Sequence, residues 1–157
     1  MDSSFPASLC ACASLRRASR AVCHLYDLVL APTNLKVTQF VILRAISQAG
    51  EIAHCDLARY FAASEETFSR RLASARASGW VSMKVGKRGR RVYALTEHGA
   101  KMLELATPYW ERAQERMRRE LGELEWSVLN SFTERITQAA LRAEQARSSN
   151  SRPRAAA

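Results

Sequence analysis

Residues 64–96, "SEETFSRRLASARASGWVSMKVGKRGRRVYALT", carry two patterns back to back. The first half steps as a helix. Ser64 is a side-chain acceptor suited to an N-cap, Glu65 and Glu66 place negative charge in the first turn, and Gly79 ends the run. The second half alternates: Val81, Met83 and Val85, then Val92, Tyr93 and Leu95, read as two strands, with Gly86 and Gly89 where the chain reverses. Five positive side chains occupy the eight positions from Lys84 to Arg91. A helix feeding a cationic ribbon suits a polyanionic partner, whereas a solvated surface turn is the plainer reading of a short charge run.

Working outward, "EIA" at residues 51–53 is briefly extended and "HCDLARYF" makes a short helix before Ser64. Further back, Phe40, Leu43 and Ile46 keep a helical period up to Gly50, and Leu15, Ala18, Val22, Leu25 and Val29 do the same before Pro32. Asn34 suits a left-handed bend between them. Beyond the ribbon, Thr96 can cap a long helix reaching about Glu120, bent at Pro108 and broken at Gly122, after which Leu129, Phe132, Ile136 and Ala140 mark a last helix. From Arg147 onward "RSSNSRPRAAA" has no apolar period and is expected to be a disordered basic tail. The fold class is therefore mainly α with a small β-wing. Helix, short helix, helix and two-stranded ribbon, in that order, make a winged helix-turn-helix. Its second helix can enter a major groove roughly 12 Å wide while the ribbon reaches phosphates or the minor groove.

The charge agrees with this layout. The 157 residues carry a net charge of +9, and from Arg59 to Arg91 nine positive side chains face two acids, a local net of +7. Such a cluster points to nucleic acid rather than to an acidic small substrate. No apolar run approaches the roughly 18 to 20 residues of a membrane-spanning helix. "LCAC" at residues 9–12 follows no adequate hydrophobic stretch, so a cytoplasmic protein without membrane attachment is expected. Four cysteines in a chain of this size and apolar content are expected as reduced thiols. His24, His54 and His98 have no metal-site spacing, no cofactor is implied, and no cysteine, histidine and acid constellation supports a thiol enzyme. Phe68 and Trp80 are expected in the core between the helix and the ribbon, and Tyr109 and Trp110 at a helix interface.

The stretches "LRRASRAVCHLYD", "LAPTNLKVTQFVIL", "DLARYF", "TFSRRL" and "RRVYALTEHG", taken in order over residues 9–145, resemble the multiple-antibiotic-resistance regulator (MarR) family of bacterial dimeric winged-helix transcription factors. The resemblance implies a homodimer. Residues 1–35 would form an N-terminal dimerisation helix, 36–96 the DNA-binding domain, 97–146 the C-terminal dimerisation helices and 147–157 the tail. It implies double-stranded DNA as partner, with Ser64, Thr67, Ser69, Arg70 and Arg71 on the recognition helix and Lys87, Arg88, Arg90 and Arg91 on the wing, Arg90 standing at the wing-tip arginine. It further implies a repressor released from a palindromic operator by a small, possibly aromatic, effector bound where the dimerisation helices meet the winged domain. A non-specific architectural DNA binder is the alternative that would share the charge but not the operator.

Several positions depart from the family pattern. Gly86 and Gly89 replace an aspartate that often steadies the tip arginine, which implies a looser, more electrostatic wing. Glu65 and Glu66 either cap the helix or accept from a cytosine amino group. Lys36 replaces a capping threonine and leaves Thr38 as the substitute. Aligned with the hydroperoxide-sensing branch of the family, Cys12 takes the place of the reactive thiol and Tyr26 that of one of its two tyrosine partners, while Val37 replaces the other. Cys12 then reads either as a redox sensor, with Arg16 one turn further on, or as a buried, inert thiol. A Cys10 to Cys12 bridge is unfavourable if both lie within a helix.

Overall fold

The computed structural model describes the backbone of residues 10–150 and the side chains through residue 146. Helix α1 (Ala11–Leu30) ends in a 3-10 turn over Ala31–Thr33, and Asn34 leaves it at φ 56°, the left-handed bend its amide side chain tolerates. Helix α2 (Val37–Ala49) follows, with Phe40, Leu43 and Ile46 fully buried. They meet Leu30, Leu35, Leu57, Phe68 and Leu72, so α2 is the centre around which the winged domain packs. Each such side chain contributes about 1.5–3 kcal/mol through burial.

Strand β1 (Glu51–Ala53) leads into α3 (His54–Tyr60), and α4 (Glu65–Ala77) follows after a tight turn. In that turn Ala62 N–H donates to the Arg59 carbonyl and Ala63 N–H to the Ala58 carbonyl, with Ala62 at φ 47°. This is a helix C-terminal motif that glycine usually occupies, and alanine there costs about 1–2 kcal/mol. Strands β2 (Val81–Val85) and β3 (Arg91–Leu95) form the ribbon, and β1 joins as a third antiparallel strand in the order β1-β3-β2. Val81 lies opposite Leu95 and Val85 opposite Arg91, while Glu51 pairs with Ala94.

Helix α5 (Glu97–Leu121) starts at the Thr96 cap, whose hydroxyl accepts from Gly99 N–H at 3.0 Å. A Cβ on Gly99 would stand 2.0 Å from the Trp80 carbonyl oxygen, so only glycine lets α5 start this close to the ribbon. The helix continues through Pro108 and stops at Gly122, and α6 (Glu123–Asn150) returns alongside it. Phe40 stacks on Trp110 at 5.5 Å and Arg44 lies 4.0 Å over the same ring, which clamps α5 to α2. Among the described residues no helix is long and apolar enough to cross a membrane.

Four expectations change. Thr38 does not cap α2. Asp27, on α1, accepts from Val37 N–H at 2.7 Å and the Gln39 side chain accepts from Lys36 N–H at 2.9 Å, because Thr38 is already inside the first turn and an ammonium at Lys36 has no lone pair to offer. Residues 147–150 are helical, since none of them is Pro or Gly and the α6 backbone runs on through them; 151–157 lie outside the described residues, as do 1–9. Cys10 is the N-cap of α1 with extended backbone, so only Cys12 is inside the helix and the intrahelical objection to a bridge does not apply to this pair. Cys12 is exposed, not buried.

Candidate nucleic-acid interface

Helix α4 is held to the protein by Phe68, Leu72 and Ala75, all buried. At about 100° per residue the opposite face carries Glu66, Arg70, Ala73 and Ala77, and all four are exposed. Arg70 thus stands at the middle of the outward face, and the two alanines behind it let the helix backbone approach a partner closely. Arg71 and Arg76 are exposed on its flanks.

Three hydroxyls at the start of α4 have partners within the chain. Ser64 accepts from Thr67 N–H at 3.2 Å and donates to the Thr67 hydroxyl at 2.9 Å, completing the cap expected from its position. Ser69 lies 3.2 Å from Nε2 of His54. The Glu65 carboxylate stays exposed while lying 4.0 Å from that same nitrogen, and Glu66 is the acid on the face opposite the buried one.

The ribbon ends in a 3-10 turn over Lys87–Gly89, with Arg88 at φ 59° and Gly89 at φ 72°. Gly86 N–H donates to the Arg90 carbonyl at 2.7 Å, so backbone bonds close the tip where a carboxylate was missing from the sequence. The apex is therefore Lys87 and Arg88, with Arg90 entering the returning strand. Lys84 is paired with Glu51 of β1 at 2.5 Å and Arg59 with Asp56 at 3.1 Å. Among the described residues no acid pairs with Arg70, Arg71, Arg76, Lys87, Arg88, Arg90 or Arg91. These seven uncompensated cations lie on one helix and the ribbon next to it. A phosphate backbone neutralises such a row at the gain of released counterions. Arg76 was counted in the sequence charge cluster but not singled out as a contact; its proximity to Ser82 and Met83 on the ribbon side appears only in three dimensions.

Cys12 and Tyr26 are not brought together within one chain. They are fourteen residues apart on α1, about 21 Å along the axis, and the Tyr26 hydroxyl donates to the Gln114 side chain instead. Burial raises the Tyr26 pKa above its ordinary value. Two grooves flank α6. One, of about 480 Å³, is mainly apolar and lies between α1, α5 and α6, lined by Leu15, Val22, Met117, Trp126, Leu129 and Ile136. The other, of about 550 Å³, separates α3 from α6 and is bordered by Arg59, Tyr60, Thr137, Leu141 and Arg142.

No protein-family profile and no curated protein matches the chain. Solved structures do. The M. tuberculosis transcriptional regulator MosR, in complex with DNA, is 30% identical over 85% of this chain and 98% of its own, with a TM-score of 0.78. Two others share the fold. A MarR mutant from E. coli complexed with operator DNA has a TM-score of 0.70 at 18% identity, covering 78% of this chain and 89% of its own. BpsR of Bordetella bronchiseptica, whose DNA binding is regulated by 6-hydroxynicotinic acid, has a TM-score of 0.72 at 19% identity, covering 85% of this chain and 98% of its own.

Proposed function

We propose, because this chain belongs to the MarR family of winged helix-turn-helix transcriptional regulators, that it is a homodimeric repressor of a palindromic DNA operator. Membership of a regulator family sets aside the thiol-enzyme reading. The observation that carries the DNA-binding proposal is the row of seven uncompensated cations on α4 and the wing. Arg70 reads base edges, most favourably guanine through its two-pronged guanidinium. Lys87, Arg88, Arg90 and Arg91 hold phosphates or the minor groove, and Arg71 and Arg76 flank the major-groove contact. Ser64, Thr67 and Ser69 serve the helix itself more than the DNA, since their hydroxyls already have partners.

The dimer is built from α1, α5 and α6. Exposed Leu15, Leu129 and their neighbours along the apolar groove support this, since such a groove is stable in water when a second copy fills it. A two-fold pair presents two copies of α4 to one face of the duplex, so half-sites stand about one helical turn, roughly 10 base pairs, apart. The effector is a small aromatic acid held in the α3–α6 groove, where Arg142 offers charge and Tyr60 a ring face, Arg59 being paired with Asp56. Selection of bound duplexes from random DNA tests the central claim: a palindrome with that spacing is expected. Retention of all duplexes alike would leave only an architectural binder.

A second reading of the same scaffold makes Cys12 an oxidant sensor, and its exposure favours it. Release of the selected duplex by hydroperoxide is then lost in Cys12→Ser. Release that persists in that variant returns the switch to the effector.

A further inference from the structure

Of the buried side chains in the described residues, His54 is one of two that are polar, at 4% exposure. It is the first residue of α3, packed edge-on to Phe68 of α4 at 6.3 Å and beside Tyr93 of β3 at 5.8 Å. Its Nε2 lies 3.1 Å from the Glu65 carbonyl oxygen and 3.2 Å from the Ser69 hydroxyl, both on α4. A carbonyl only accepts, so Nε2 carries the proton and donates to it. The other ring nitrogen, Nδ1, has no hydrogen-bond partner among the described residues. An apolar side chain would fill this space without leaving a buried nitrogen unpaired, so packing alone does not account for an imidazole here.

We propose that His54 is a positioning residue for DNA recognition. The Nε2 donor ties the first turn of α4 to the start of α3, while the ring rests on the strand that runs back from the wing. One side chain thereby sets the roll of α4 about its axis, and with it the direction of Arg70 next to Ser69. It also fixes that roll relative to β3, so the helix and the wing meet the duplex in one register. Side chains that read bases need this kind of support from a locked second layer. Phosphate contacts from the wing arginines do not depend on it to the same degree. The inference rests on the reading of α4 as the helix that enters the groove.

The test uses the full chain, the duplex that the wild type selects from a random pool, and a scrambled duplex of equal length. His54→Phe keeps the ring and removes both nitrogens. It is expected to melt cooperatively, to hold the scrambled duplex as well as the wild type does, and to lose about tenfold of the preference for the selected one, the scale of one base contact. His54→Gln, whose amide can reach the same carbonyl, recovers most of that preference. Ser69→Ala loses part of it alone and adds nothing in the His54→Phe background. An undiminished preference in His54→Phe, or a His54→Gln variant no better than it, overturns the proposal and leaves the ring as filler. If His54→Phe does not fold, Ser69→Ala decides, and an unchanged preference there also overturns it. A wild-type chain that selects no duplex at all is a different result: it removes the DNA-binding function, and this positioning role with it.

Discussion

Residues 35–95 form a core within one chain: Leu35, Phe40, Leu43, Ile46, Leu57, Phe68 and Leu72 are at most 1% exposed. Helix α6 does the opposite. None of its described residues is buried, and Leu124, Val128 and Phe132 stand 72%, 53% and 55% exposed. In α1 only Tyr26 and Leu30, at the end nearest the winged domain, are buried. The contrast separates a finished unit from an unfinished one. The winged domain has its own core and presents charge outward, whereas α1 and α6 present apolar surface that water does not stabilise. On the proposed reading the second unit is finished by another copy, and that copy also supplies the second α4 that a palindrome requires.

The sharpest way to break this comparison is to charge the unfinished half. Leu129→Glu puts a carboxylate into the apolar groove while keeping a good helix former. Sedimentation is expected to show a monomer, and operator affinity to fall about a hundredfold as the benefit of two linked half-sites disappears. A Leu129→Glu chain that remains dimeric would place the pairing surface elsewhere. In the finished half, Arg70→Ala is expected to weaken the preferred duplex by about tenfold to a hundredfold and to relax the preference at one position of each half-site. Repeating the random-duplex selection with the variant checks this, and an identical selected sequence would take Arg70 off the base-reading face.

The junction between the halves can be probed through Asp27, which lies on α1 but caps α2. Asp27→Ala is expected to lower unfolding free energy by about 1 kcal/mol, the usual worth of an N-cap, measured by denaturant titration. An unaltered midpoint would mean that solvent or Gln39 replaces the carboxylate. The smallest effect is expected at the wing. Arg90→Ala should weaken selected and scrambled duplexes alike and reduce the salt dependence of binding by about 0.9 in the log–log slope, one phosphate's share. A slope equal to that of the wild type would show that Arg90 touches no phosphate.

Much of the fold was legible because it rests on short-range physics. The caps at Ser64 and Thr96 each reach a backbone N–H three residues on, Asn34 and Gly89 take left-handed backbone, and Phe40, Leu43 and Ile46 repeat at the helical period. Each of these is decided by neighbours in the chain. The cationic excess was legible for the same reason, since it is local along residues 59–91.

The interface itself was less legible. The family resemblance put Ser69 on the recognition helix and spacing left His54 as a scattered histidine, and the folded chain sets one against the other across fifteen residues. Lys84 counted toward the cationic excess, and the sheet brings Glu51 of β1 to it across thirty-three residues. The resemblance set Arg90 at the wing tip, and the fold adds that it closes the turn formed by Lys87, Arg88 and Gly89.

Periodicity, capping and charge density act over a few residues, and for that reason the order and type of the elements and the sign of the surface can be read from the chain alone. Which charges are compensated, which side chain caps α2, which face of α4 points outward and what surrounds His54 emerge with the packed fold. Those outcomes depend on contacts between segments whose separation in the chain bears no fixed relation to their distance in space.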